Sequence, residues 1–435
     1  MNWAIDLVWA KSHLDPHMVR WHGILIFATI FVSWLLWTQA NHPLWQLHIV
    51  VDPVVYWQRA LSFHESGGTW ALMGMNEYQP GALWFFAGVM AASGGAGEFD
   101  GFLRALMVAN LLLLAAHVAL ARIFVSVRAA WLMLLFALLV GPILLCRFEL
   151  LVSFLVLVAW VFWQRGIFVP SAVILGMAAA TKIYPVLLLP LLTVASWLEG
   201  KWSRAGAVVF AWIGGGVLVA GSLAIFGSGW SDIVAAIHFH FDKPFGVEGL
   251  LGSGIPVLQS VLGIPLRMAP RNGIHGFESD LGALPTLFLE WSWLGAFAAV
   301  AWLIVSSCPR AERCAAPGAI FVLFGWYVLL GKLTAPQYAW WALPFLALAP
   351  ASFLSRGEWK SLLVLLTFAL VAAQVVYPLN YSEFLGCFSG NYLGNRIFLL
   401  NAAKNVFWLA AMIVATRGLL RMKSKSSVPQ TAIAP

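Results

Sequence analysis

Twelve apolar runs separated by short polar turns leave this chain almost no way to fold in water. They cover 23–39, 104–124, 129–146, 150–163, 167–181, 183–198, 205–226, 284–307, 315–331, 338–354, 362–377 and 397–416. In lipid such runs satisfy their backbone polar groups as α-helices, so the expectation is an all-α polytopic membrane protein with about 12 transmembrane helices. A chain that is 61% hydrophobic and 10% charged, with 24 Trp and a mean hydropathy of +0.86, has no room for a separate soluble domain. The fourth to sixth runs are shorter than the usual ~20 residues, which predicts helices sheltered inside a bundle. The net charge of +7 then concerns which side of the membrane is basic, not nucleic acid.

One further apolar run, 80–93, decides the topology. If it lies along the interface, 15 of the 25 basic residues fall on the side of the N-terminus; if it crosses, 11 do. Because cytoplasmic segments carry the excess of Lys and Arg, the first arrangement is expected, with both termini cytoplasmic. Residues 1–22 then form a cytoplasmic segment without a signal cleavage site, 23–416 the transmembrane domain, and 417–435 a polar, disordered cytoplasmic tail. Two long external loops follow, 40–103, with interfacial helices, and 227–283. The four cysteines make no disulfide framework: Cys308 and Cys314 fall in a cytoplasmic turn, leaving Cys146 with Cys387 as a conceivable external pair.

With that sidedness, ionisable and aromatic residues converge on the external edge. The first loop supplies Asp52, Tyr56, Arg59, Tyr78 and Arg104; the next turns supply Arg147 with Glu149, and Lys182 with Tyr184. The second long loop adds His240, Lys243 and Glu248, and a later turn adds Lys332, Gln337 and Tyr338. Carboxylates, cations and aromatic faces at one depth suit a substrate that is half lipid and half anionic. Lys182, between two apolar runs, is either a snorkelling anchor or the partner of a lipid phosphate. Lys332 repeats the pattern. Asp52 precedes Pro53, so it either caps an interfacial helix or acts as a base on an attacking hydroxyl. His238 and His240 lack further ligands nearby, and no metal site is expected.

Asp52-x-x-x-Tyr56, Tyr78-x-Pro80, Thr181-Lys-Ile-Tyr-Pro185, His240-x-x-Lys243 with Glu248, and Pro336-Gln-Tyr-x-x-Trp341, in this order, resemble the GT-C superfamily of glycosyltransferases. More specifically they resemble glycosyltransferase family 87, the bacterial polyprenyl-phosphate-mannose-dependent α-mannosyltransferases of phosphatidylinositol-mannoside synthesis. The chain departs from related patterns in having Pro53 after Asp52 rather than a second acid, and Lys243 where Arg is usual. The resemblance implies a GT-C fold in the bacterial inner membrane with an extracytoplasmic site. It implies Asp52 as general base and the external basic residues as holders of a polyprenyl-phosphate-linked sugar donor. The reading is an inverting transferase, using no metal or other cofactor, that moves mannose or another sugar to a glycolipid or glycan hydroxyl. The rival from another class is a transporter or flippase of a lipid-linked or anionic substrate, which would place its discontinuous helices and charges at the midplane.

Overall fold

The computed structural model describes residues 16–70, 78–95, 97–227, 230–241, 246–250, 252–254, 266–271, 274–279, 295, 298–304, 316–331, 334–389 and 394–426. The chain begins with α1 (Pro16–Ala40), α2 (Pro43–Ile49), α3 (Val51–Glu65), α4 (Pro80–Ala92), α5 (Phe99–Phe124) and α6 (Val127–Val140). Then come α7 (Glu149–Gln164), α8 (Phe168–Ala179), α9 (Leu188–Leu198), α10 (Trp202–Ile225) and α11 (Trp230–Phe241). The hairpin β1 (Leu266–Arg271) and β2 (Ile274–Ser279) precedes α12 (Pro317–Leu330), α13 (Leu343–Leu348), α14 (Arg356–Gln374), α15 (Tyr381–Gly386) and α16 (Arg396–Ser426).

Among the described residues, five helices are long and apolar enough to cross a membrane: His22–Ala40, Phe99–Phe124, Trp202–Ile225, Arg356–Leu379 and Arg396–Arg421. The protein is therefore a multi-pass membrane protein, and among the described residues its strands are the antiparallel β1–β2 pair, which sets Leu266 opposite Ser279. That hairpin and α11 fall where the sequence suggests only a loop.

Several apolar runs break where they read as continuous. Run 129–146 ends its helix at Val140; Gly141, at φ +82°, turns the chain into a 3-10 segment, Pro142–Cys146. Run 338–354 forms no single spanning helix. It is a 3-10 turn (Pro336–Trp341), the six-residue α13 and a second 3-10 turn (Ala351–Phe353). Pro344 and Pro350 lack the N–H groups that a continuous helix needs. Irregular backbone at membrane depth is tolerated where protein covers it, and every residue of α13 is buried. Helix α4 has 13 residues, about 20 Å at 1.5 Å per residue, well short of a ~30 Å hydrocarbon core. Glu199, in the turn before α10, pairs with Lys201 and with Arg204 of the first turn of α10.

Small residues bring the helices together. A Cβ on Gly176 of α8 would lie 2.0 Å from the Trp212 carbonyl of α10, and one on Gly215 would lie 2.1 Å from that of Val173. The backbones of α8 and α10 thus touch, the close approach that small residues permit in membranes, and the Gly214-Gly-Gly216 run is a helix contact. Ser355 and Glu358 form a capping box that starts α14, and Arg421 of α16 pairs with Glu358.

Candidate functional site

The break after α6 builds the site. Gly141 leaves no room for a side chain: a Cβ there would meet Gln374 Oε1 at 2.6 Å. The Gln374 amide donates to the carbonyls of Leu138 and Leu139, holding the last turn of α6 against the end of α14. Buried Asn110 of α5 donates to the carbonyls of Leu145 (2.9 Å) and Arg147 (2.8 Å), which fixes the 3-10 segment that follows. The next three residues, Arg147, Phe148 and Glu149, supply a cation, a ring and a carboxylate to the candidate site.

Arg147, 2% exposed, sets its Nε 2.9 Å from Oδ2 of Asp52, whose side chain is 43% exposed. Asp52 occupies the first turn of α3 rather than its cap: Val50 takes the cap position, with no side-chain hydrogen bond. The carboxylate still profits from the positive end of the helix. Two residues beyond Arg147, Glu149 Oε1 lies 2.5 Å from Lys182 Nζ. That ammonium sits over three rings, 4.6 Å from Phe148, 4.9 Å from Tyr338 and 5.3 Å from Trp341, a cation–π cage. Tyr184 stacks on Trp341 at 4.4 Å. Glu149 Oε2, Tyr184 Oη and Gln337 Oε1 are buried with no protein hydrogen-bond partner.

Phe148 joins the two ion pairs. Its ring lies 5.6 Å from Tyr56, which stacks on Phe86 at 4.3 Å and meets Tyr78 edge-on at 5.3 Å. Burial, with the Asp52 charge beside it, pushes the Tyr56 phenol well above its ordinary value.

A third group adjoins Asp52. Glu248 is partly buried, and burial raises its carboxyl above the ordinary 4.5 against the opposing pull of Lys404 and a hydrogen bond with Tyr381. Lys404 Nζ, buried in α16, donates to the Glu248 carbonyl at 2.8 Å, and Asn405 donates to the same oxygen at 3.2 Å. Tyr381 packs edge-on against Tyr377 at 4.7 Å and His48 at 5.6 Å.

The structure thus gathers Asp52, Tyr56, Tyr78, Arg147, Glu149, Lys182, Tyr184, Tyr338 and Glu248. Gln337 is buried in the same 3-10 turn as Tyr338. Arg59, half-buried, is seven residues along α3 from Asp52, about 10 Å further on. Arg104 stands apart: it is exposed and its Nε donates to the Asp100 carbonyl in its own helix. His240 belongs to α11; Lys243 and Lys332 lie outside the described residues, as do Cys308 and Cys314. Cys146 and Cys387 are both free and buried, so the conceivable disulfide is not formed. Sequence reasoning passed over Tyr377, Tyr381 and Lys404. Lys404 carried a signal, a lone cation in the middle of the run 397–416.

No family model matches the chain, and no curated protein matches it. Among solved structures it is similar to the crystal structure of ArnT from Cupriavidus metallidurans in the apo state. The TM-score is 0.48 at 15% identity, covering 94% of this chain and 78% of that one.

Proposed function

We propose that this protein is a membrane glycosyltransferase of the GT-C type, moving a sugar from polyprenyl phosphate to a glycolipid or glycan hydroxyl on the extracytoplasmic face. The observation that carries the reading is the Asp52 carboxylate, held by buried Arg147 yet 43% exposed, beside the enclosed Lys182 cation. A transferase of this kind needs a fixed, reachable carboxylate and a nearby cation for a lipid phosphate, and the motifs that resemble those of family 87 fall on both.

In the proposed step, Asp52 takes the proton of the acceptor hydroxyl. That oxygen forms the new bond to the anomeric carbon on the face opposite the phosphate, so the configuration inverts. The bond between the anomeric carbon and the phosphate oxygen breaks, and its electron pair leaves with the phosphate, which needs no acid. Lys182 has three N–H donors, of which Glu149 Oε1 takes one, so it can also serve the phosphate; Lys332 and Lys243 are proposed to assist. Mannose is the donor sugar to test first.

The experiment is transfer by purified protein from synthetic polyprenyl-phosphate sugars, with Asp52→Asn as the comparison. Loss of about 10²- to 10⁴-fold in rate with donor binding retained is expected. Transfer by Asp52→Asn at a near-normal rate would remove Asp52 as the base. Transbilayer movement of the donor without any transfer would favour the flippase reading, which the broken helices also accommodate. Lipid analysis of a deletion strain, seeking a glycolipid short of one sugar, identifies the acceptor.

A further inference from the structure

We infer that Arg147 and Tyr377 are positioning residues that hold Asp52, and that Arg147 is not a ligand of the donor phosphate. This rests on the reading of Asp52 as base and reverses the expectation for Arg147. An external arginine in such a chain is ordinarily assigned to the phosphate, because a guanidinium matches a phosphate in geometry and charge. Here the guanidinium is already paired: both terminal nitrogens donate hydrogen bonds, and Nε stands against the carboxylate as an ion pair without a hydrogen bond of its own. Nε faces Asp52 Oδ2 at 2.9 Å. One terminal nitrogen donates to the carbonyls of Ile49 (2.7 Å) and Cys146 (3.2 Å), and the other donates to Tyr377 Oη at 3.1 Å. The side chain is 2% exposed, so an incoming phosphate would have to displace a buried ion pair and its neighbouring hydrogen bonds to reach it.

Tyr377 completes the hold. Its hydroxyl accepts from Arg147 and donates to the His48 carbonyl at 3.0 Å, which uses the hydroxyl both ways. His48 and Ile49 end α2, and Asp52 opens α3. Arg147 and Tyr377 therefore grip two carbonyls of the junction as well as the carboxylate that follows it. The grip comes from elements far apart in sequence, and each is fixed independently. Arg147 follows the 3-10 segment that Asn110 secures. Tyr377 lies three residues after Gln374, at the non-helical kink (φ −132°, ψ 123°) that ends α14. The Gln374 contact with α6 and the Tyr377 contact with Arg147 thus clasp the same two segments at adjacent points. A base must be held in a narrow range of positions to act on a bound hydroxyl, and this clasp sets where the carboxylate stands.

The test is steady-state transfer by Tyr377→Phe, Arg147→Lys and Asp52→Asn and by the double variant Asp52→Asn with Tyr377→Phe, varying donor concentration. Tyr377→Phe removes one oxygen and keeps the ring packed on Tyr381, so it keeps the fold even where Arg147→Lys does not. The expected result is a kcat lower by on the order of 10- to 100-fold in Tyr377→Phe, with donor KM within about twofold, and the double variant no slower than Asp52→Asn alone. Arg147→Lys, where it folds, is expected to lose kcat likewise with donor KM unchanged. An unchanged kcat in Tyr377→Phe, a rise of donor KM in Arg147→Lys with kcat retained, or additive losses in the double variant would overturn the inference. Normal transfer by Asp52→Asn would instead strike at the proposed function itself.

Discussion

Glu149 and Lys182 form an unequal ion pair: their charged atoms are 2.5 Å apart, with the carboxylate side chain 2% exposed and the lysine 15%. The carboxylate is the more enclosed partner, and its Oε2 has no protein hydrogen bond. Removing the lysine therefore leaves a buried, uncompensated charge.

Lys182→Met is accordingly expected to lower stability by about 3–5 kcal/mol, beyond any effect on donor binding. Adding Glu149→Gln should recover most of that loss, since the buried charge goes too. Thermal unfolding of the two single variants and the double variant in detergent measures the coupling. Losses in the double variant equal to the sum of those in the two single variants would mean that the pair contributes nothing as a pair.

Gly141→Ala should destabilise by about 2 kcal/mol or more, combining a left-handed backbone with overpacking. The φ of +82° and the 2.6 Å approach to Gln374 Oε1 are separate causes. Adding Gln374→Ala relieves only the second, so the double variant should stay less stable than Gln374→Ala alone. Melting temperatures of the three proteins decide this, and wild-type stability in Gly141→Ala would contradict the tight turn.

Glu248 predicts a pH dependence. Burial raises its folded-state value above the ordinary 4.5, so the folded protein binds this proton more tightly than the unfolded chain. The stability gained from that proton is complete below pH 4.5 and is lost as the pH rises through the folded-state value. Glu248→Gln, which cannot ionise, should therefore gain on the wild type from acid to neutral pH, with the difference vanishing at the acid end. Melting curves of both proteins across that window test it, and a pH-independent difference would remove the effect.

Sidedness can be read by labelling in a background lacking native cysteines. With both termini cytoplasmic, Glu65→Cys should react with an impermeant maleimide in intact cells, and Lys201→Cys only after permeabilisation. Both positions are exposed. The reverse pattern would move Asp52, on the same helix as Glu65, to the cytoplasmic face.

Glu149 and Lys182 stand out in the sequence because each is an ionisable residue at the end of an apolar run, and Asp52 because it is a lone carboxylate in the apolar stretch 49–56 of the first loop, where desolvation makes an idle charge costly. Tyr377, Asn110 and Gln374 do not, since a single polar residue in a long apolar run reads as an incidental substitution. Their partners are remote: Arg147 and Tyr377 are 230 residues apart, and Gln374 and Leu139 are 235 apart. The breaks at Gly141 and Pro344 carried local signals, but a run of apolar residues around each made the segments look like crossings.

Hydrophobicity, proline and glycine act on their own residues and immediate neighbours, so the sequence by itself determined the membrane class, most helices and the turns on which the ionisable groups sit. Which charge pairs with which was decided only by tertiary structure. An ion pair or hydrogen bond depends on separations of a few ångströms between side chains from different helices. Those separations follow from how α6, α7, α8 and α14 pack, which no local property encodes. The same arginine could hold a phosphate or a carboxylate, and its burial against the carbonyls of Ile49 and Cys146 selects the carboxylate.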